Sequence, residues 1–279
     1  MSTLREKRKK ERRALRRRKT ADWTVVLILC AIAVCCGGYL IYHHWSVKQR
    51  ELEYEKLRQE ETLSAATEMV IAEPETEENT EETVIYCVPV YDFGQLHEQN
   101  EDIYAWIVVP GTQVDYPLLQ SETDNYYLDY NLDHIKGYPG CIYTNQCNRK
   151  DFSDYNTVLY GHNMKNGSMF AQLKKFTQDE ETYKKSKYFW IFTPEKNYRY
   201  EIISAYTTGV NSDTYTLFKG PGEEFEKYLE KIRGYSEIRT DAEGMNIKDK
   251  IITLSTCTGN EATRYVVQGK RVDTLDVGQ

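Results

Sequence analysis

The sequence predicts a mainly β fold: a closed or nearly closed sheet of about eight strands with a few peripheral helices, preceded by one transmembrane helix. Three observations carry this reading. Short runs of β-forming residues alternate with turn signals over residues 84–279, one stretch shows an apolar face at helical spacing, and residues 23–42 contain no charge. The 279 residues, 40% of them hydrophobic, suffice for one packed domain with appendages and exclude a disulfide miniprotein, a collagen or a wholly disordered chain.

Residues 1–22 read as a basic cytoplasmic tail. The first twenty positions hold eleven Lys and Arg against Glu6 and Glu11, a local charge of +9 in a chain whose formal net charge is −7. Trp23 to Tyr42 then reads as a transmembrane signal anchor, because its twenty uncharged residues match the roughly 20 needed to cross a hydrocarbon core. Trp23, Tyr39, Tyr42 and Trp45 stand at its ends as interfacial aromatics do. A cleaved signal peptide has a shorter apolar run, so the anchor is read as uncleaved. With the basic block on its N-terminal side, the positive-inside rule places the N-terminus in the cytoplasm and the rest of the chain outside. Attraction to anionic lipid, at about 1 kcal/mol per basic residue, explains the block more simply than nucleic acid does.

Residues 43–83 read as an acidic stalk. Twelve Glu face only Lys48, Arg50, Lys56 and Arg58 between positions 46 and 83. Val47, Tyr54 and Leu57 suggest a helix leaving the membrane, but the heptad fails at Arg50, Glu61 and Ser64, which argues against a coiled coil. From Pro74 to Thr83 apolar residues are almost absent, as in a solvated linker. The boundary of an external domain, residues 84–279, is placed near Val84.

Within that domain the predicted strands follow one another quickly. Ala105 to Val109 ends at Pro110-Gly111-Thr112, and Val114 to Leu119 follows; Gly140 to Tyr143 comes after Tyr138-Pro139, and Thr157 to Tyr160 comes next. Tyr188 to Thr193 and Tyr198 to Thr207 flank Pro194 to Asn197 as a hairpin would, and Ile251 to Thr256 and Tyr265 to Gln268 complete the set. Gly222 to Arg233 is predicted helical because Phe225, Tyr228, Leu229 and Ile232 fall on one face. A shorter helix is expected to begin with Ser168 as N-cap and to turn Met169, Phe170, Leu173 and Phe176 to the core. Twenty-three Tyr against eight Phe suggest a barrel whose rings pack inward while their hydroxyls reach solvent. The tail from Lys270 to Gln279 receives no role.

Cys30, Cys35 and Cys36 lie in the apolar span, leaving Cys87, Cys141, Cys147 and Cys257 outside. No Cys-x-x-Cys or Cys/His ligand spacing occurs, Asp and Glu are dispersed, and neither a metal nor a cofactor is implied. A bridge such as Cys141 to Cys147 is open on sequence grounds. Reactive chemistry is better sought where strands end in turns, which expose a thiol to substrate and to nearby positive charge. Cys257 ends one such strand, His162 follows another within Tyr160-Gly161-His162-Asn163, and Arg264 opens the strand after Cys257. A short connection would bring the Arg264 guanidinium back beside Cys257, where it could hold a developing oxyanion. Taken singly, each residue has an ordinary structural alternative.

The wording around them decides between these readings. Thr253-Leu254-Ser255-Thr256-Cys257 followed by Arg264-Tyr265-Val266-Val267 resembles the cysteine signature and downstream Arg of sortases. Tyr160-Gly161-His162-Asn163-Met164 with Gly167-Ser168-Met169-Phe170 resembles the histidine segment of class B sortases. Trp106-Ile107, Pro110-Gly111-Thr112, Asp115-Tyr116-Pro117, Asp124 to Leu128, Gly140 and Ile142, and the helix from Gly222 extend the likeness over nearly all of residues 84–272. Cys141 stands where a small hydroxyl residue is expected, Asn145 where Asp is frequent, and the interval from Cys257 to Arg264 is short for the family.

The resemblance implies a sortase-type closed eight-stranded barrel and a membrane-anchored cysteine transpeptidase of Gram-positive bacteria. It implies that Cys257 attacks the carbonyl after Thr in an Asn-Pro-x-Thr or Leu-Pro-x-Thr sorting signal of a secreted protein, that His162 is the general acid/base and that Arg264 stabilises the oxyanion. The acceptor would be an amine of a lipid-linked cell-wall precursor. Ser255 and Thr256 are candidates to line the substrate groove, with strand packing equally open to them, and Asn163 is a candidate to orient its neighbour. The other functions considered are a membrane-anchored cysteine peptidase, a pilus polymerase of another sortase class and a non-enzymatic module binding wall peptide.

Overall fold

A computed structural model describes residues 2–60, 62–73, 82–242 and 244–277, in two bodies, Met1–Leu52 and Glu53–Gln279. The first body is most of helix α1 (Ser2–Glu60). Among the described residues α1 is the one helix long and apolar enough to cross a membrane, and its Val34, Leu40 and Ile41 are exposed, a surface suited to lipid rather than water. The helix continues without a break through positions 43–60, the first part of the segment read as a stalk.

In the second body, the last turns of α1 pack against the chain around Gly140 and Tyr116. Tyr54 and Leu57 are buried, and the Tyr54 hydroxyl donates to the Gly140 carbonyl at 3.1 Å. Strands β1 (Thr62–Glu73) and β2 (Glu82–Tyr91) pair antiparallel, with Val70 opposite Ile85 and Ile71 opposite Val84. Strand pairing was not expected here, although the β-formers Met69-Val70-Ile71 and Val84-Ile85-Tyr86 supply its pattern. Residues 74–81, the heart of the expected linker, lie outside the described residues.

After helix α2 (Phe93–Gln99) come β3 (Ile103–Val109), β4 (Val114–Leu119), a single helical turn α3 (Tyr126–Asp129), β5 (Ile142–Thr144) and β6 (Asn156–Tyr160). Helices α4 (Lys175–Gln178) and α5 (Glu180–Lys185) precede the hairpin of β7 (Tyr188–Phe192) and β8 (Lys196–Gly209). Helix α6 (Glu223–Gly234) leads to β9 (Ile251–Cys257) and β10 (Thr263–Asp276). The eight strands from β3 onward close into a barrel in the order β10-β8-β7-β3-β4-β5-β6-β9, as the strand spacing predicted. Neighbours run antiparallel except β4 with β5 and β6 with β9.

Helix α6 buries the four residues predicted for its apolar face, Phe225, Tyr228, Leu229 and Ile232, against Ile203 and Ile251. The shorter helix differs from expectation. Met169, Phe170, Leu173 and Phe176 are all buried, yet Met169 has φ +55°, so a helix cannot start there. A 3-10 turn over Ala171–Lys174 precedes α4 instead, and Ser168 Oγ donates to Asn166 Oδ1 at 2.9 Å rather than capping. The unassigned tail completes β10, which pairs with β8 as far as Asp276 opposite Lys196; its alternating exposed polar residues hid the strand.

The tyrosines also differ from expectation, since several hydroxyls are buried and bonded internally. Tyr104 pairs with Thr144 at 2.5 Å, while Tyr206 donates to Gln268 Oε1 at 3.0 Å and Tyr228 to the Thr214 carbonyl at 3.1 Å. A buried hydroxyl left without a partner costs about 1–3 kcal/mol, and these acceptors spare the three rings that cost.

Candidate active site

The site is assembled by strand register. In the antiparallel β9–β10 ladder Arg264 is the direct partner of Cys257. Opposed residues of such a pair point to the same face with Cα atoms about 4.5–5.5 Å apart, so the guanidinium and the thiol share one side of the sheet. The turn between them closes tightly: Thr263 N donates to Asn260 O at 3.2 Å, and Gly259 takes φ +93°. The short interval is thus closed by a tight turn that leaves Arg264 paired directly with Cys257.

On the other side of β9 the parallel strand β6 pairs Tyr160 with Ser255, and Gly161 N donates to Ser255 O at 3.1 Å. Two residues further along each chain stand His162 and Cys257. Asn163 ties the two segments, donating from Nδ2 to the Cys257 carbonyl at 2.7 Å. Gly161 is demanded by packing, because a Cβ there would collide with Ile142 Cδ1 and the Phe170 ring. Three neighbouring strands, about 4.8 Å apart, thus present His162, Cys257 and Arg264 in sequence across the end of the barrel. All three are half-buried.

His162 Nε2 lies 2.8 Å from the Leu128 carbonyl. A carbonyl only accepts, so Nε2 carries the hydrogen and Nδ1 is the nitrogen that gains or loses a proton. Burial holds the imidazole below its ordinary pKa, opposed by the Leu128 bond and by the Asp129 carboxylate. The Tyr138 ring lies against the imidazole, with centroids 4.7 Å apart. Burial raises the pKa of Tyr143, and that of Tyr215 is pushed up to about 12 by the same cause; the Arg264 guanidinium acts the other way on both. These phenols remain protonated around the site.

The remaining predicted residues have clear places. Ser255 is buried and its hydroxyl pairs with the Tyr215 hydroxyl at 2.9 Å. Thr256 is buried on the opposite face of β9, where its Oγ1 has no hydrogen-bond partner among the described residues. Behind Cys257, Thr253 donates to Asn156 Oδ1 at 2.8 Å and accepts from Gln268 Nε2 at 2.9 Å, anchoring the strand through a buried polar network. No disulfide joins Cys141 and Cys147: the first is buried with Sγ 3.4 Å from the Tyr130 carbonyl and the second is exposed. Cys87 lies outside the residues whose side chains are described. Among the described residues there is no group of three or more His, Cys, Asp or Glu placed to hold a metal.

Sequence reading quoted Leu128 within a motif without giving it a role, and did not single out Tyr138. Leu128 acts through its carbonyl, which no side chain advertises, and Tyr138-Pro139 registered only as a turn.

A family model described as the sortase domain matches residues 107–272. The chain is 38% identical over 186 residues to sortase B of Listeria monocytogenes, covering 65% of this chain and 74% of that protein. It is 28% identical over 249 residues to sortase B of Staphylococcus aureus, covering 88% and 93%. The fold superposes on a Staphylococcus aureus sortase B–substrate complex with a TM-score of 0.65 at 26% identity, over 82% of this chain and 99% of that one.

Proposed function

The chain belongs to the sortase family as a class B cysteine transpeptidase, and we propose that Cys257, His162 and Arg264 carry its reaction. The observation that supports this most is the ladder that sets Arg264 opposite Cys257, with His162 at the end of the strand on the other side. Cys257 Sγ gives its proton to Nδ1 of His162 and forms a bond to the carbonyl carbon of the peptide bond to be cut. The oxyanion that develops lies on the side of Arg264. His162 gives a proton from Nδ1 to the departing amine, the C–N bond breaks, and a thioester remains. The imidazole, now neutral at Nδ1, takes a proton from an incoming amine, whose nitrogen bonds to the carbonyl as the S–C bond breaks.

The substrate proposed is a C-terminal sorting signal of Asn-Pro-x-Thr or Leu-Pro-x-Thr type on a secreted protein, cleaved after Thr. That a Staphylococcus aureus sortase B of the same fold is known as a substrate complex supports a substrate-binding site in this chain. The acceptor proposed is an amine of a lipid-linked cell-wall precursor. The exposed apolar helix supports a single-pass anchor with the basic tail of residues 1–22 cytoplasmic, the span at 23–42, and outside it a stalk at 43–83, whose Tyr54 and Leu57 pack on the barrel, and the catalytic domain at 84–279. In this reading Ser255, through its bond to Tyr215, and Asn163, through its bond to the Cys257 carbonyl, hold β9 and the histidine segment, while Thr256 packs inside the fold.

The deciding experiment incubates the full chain in detergent with peptides bearing each signal and with a short amino-terminal peptide as acceptor. Mass spectrometry should find a ligated product whose yield rises with acceptor and which Cys257→Ala abolishes. Hydrolysed product alone, with turnover indifferent to amine, would make the chain a peptidase. Unchanged surface-protein attachment by Cys257→Ala would make it a binding module.

A further inference from the structure

We propose that Tyr138 is a positioning residue for His162, its ring packed against the imidazole whose Nε2 the Leu128 carbonyl holds. Three observations support it.

The Tyr138 and His162 rings meet edge to face, with an interplanar angle of 61° and centroids 4.7 Å apart. Tyr138 is nevertheless 41% exposed, so the ring lies at the mouth of the site rather than in the core.

The segment carrying Tyr138 is pinned to the segment that presents Leu128. Gly137 N donates to Asp129 O at 2.6 Å and Cys141 N donates to Tyr127 O at 2.9 Å, one bond on each side of Tyr138 and of Leu128. Gly140 takes φ +67° and lies so close to the Tyr127 and Leu128 carbonyls that a Cβ would collide with both. One folded piece of chain thus holds both groups that grip the imidazole.

The charge environment agrees with a covering role. The titratable groups are Asp129 on α3, which acts on the imidazole and lies 3.8 Å from Lys136, and Cys257 at the end of β9, which acts on Tyr138. Burial outweighs the Asp129 carboxylate in setting the His162 pKa, and a ring laid against the imidazole contributes to that burial. Without Tyr138, water reaches the imidazole and its orientation is held by Leu128 alone.

The proposal rests on the reading of His162 as general acid/base for its effect on rate, but its effect on the imidazole can be measured without turnover. The full chain in detergent micelles, labelled at its five histidines, is titrated by NMR as wild type, Tyr138→Phe and Tyr138→Ala, with His162→Gln to assign the signal. Tyr138→Ala should move the His162 midpoint up toward 6.5 and lower kcat by about ten- to a hundredfold with KM little changed, while Tyr138→Phe keeps the wild-type midpoint and rate. Tyr138→Leu provides the same comparison should the alanine variant unfold. A wild-type His162 titration in both small-residue variants would overturn the proposal, as would a rise in KM alone, which would make Tyr138 a substrate contact. An active His162→Gln enzyme would remove the general acid/base reading and leave the titration test of Tyr138 standing.

Discussion

Arg264 is the direct ladder partner of Cys257, and its Nη1 donates to the Glu261 and Thr263 carbonyls at 3.0 and 2.9 Å. The connecting turn therefore fixes the guanidinium on the strand that pairs with the one carrying the thiol. Arg264→Ala should lower kcat by about 10² to 10³, the usual cost of losing an oxyanion donor. Thermal stability should change little, since the side chain is half-buried and its protein partners are carbonyls of a surface turn. Rate and melting temperature measured on the same preparation check this; a change in KM alone would assign Arg264 to substrate binding instead.

The lowered pKa of His162 has a defined sign. Between the folded value and the free value near 6.5 the unfolded chain binds more protons, so this residue's contribution makes stability fall as pH falls through that window. Above 6.5 the contribution no longer varies. The acidic limb of activity, where neutral Nδ1 is needed, should have its midpoint below 6.5. A pH–rate profile compared with the melting temperature of wild type and His162→Gln across the same window tests both.

Asn163 bonds the Cys257 carbonyl and so fixes the histidine segment to the end of β9. Asn163→Ala should cost about 1 kcal/mol of stability. In a domain of this size that is a fall of about 2–4 °C in Tm. Asn163→Asp should be worse than alanine, because it sets a carboxylate against a carbonyl. Thermal melts and thiol alkylation rates of Cys257 report the two consequences separately.

Ser255 and Thr256 should separate cleanly. Ser255→Ala removes the bond to Tyr215 and should cost about 1 kcal/mol, whereas Thr256→Val replaces a hydroxyl that has no partner and should leave Tm unchanged or raised. Loss of turnover in Thr256→Val at unchanged Tm would give Thr256 a direct place in the groove.

The catalytic body extends into the acidic segment before Val84. Arg58 Nη1 donates to the Asp115 carbonyl at 3.0 Å, and Tyr54 and Leu57 are buried beside it. Leu57→Ala should cost about 2–3 kcal/mol. A soluble fragment starting at Glu53 should melt higher than one starting at Val84; equal Tm values would show that these turns contribute nothing.

Much of the architecture was legible in the residue order because it depends on local patterns. The uncharged run from Trp23, the helical face of Phe225, Tyr228, Leu229 and Ile232, and the β-formers between turn signals each report burial at a fixed period. Cys257, His162 and Arg264 were found through neighbouring motif residues, since a strand end exposes reactive groups and its turn restricts which residues fit. By itself, then, the sequence determined the number and kind of the barrel elements, the apolar helix and the three residues proposed for the reaction. Only the tertiary structure decided that Arg264 faces Cys257 directly, that Leu128 holds His162 through a backbone carbonyl, that Tyr138 covers the ring, and that Tyr54 and Leu57 belong with the barrel. The reason is physical: side-chain periodicity is a local property, whereas strand register and carbonyl direction are set by hydrogen bonds between segments far apart in the chain.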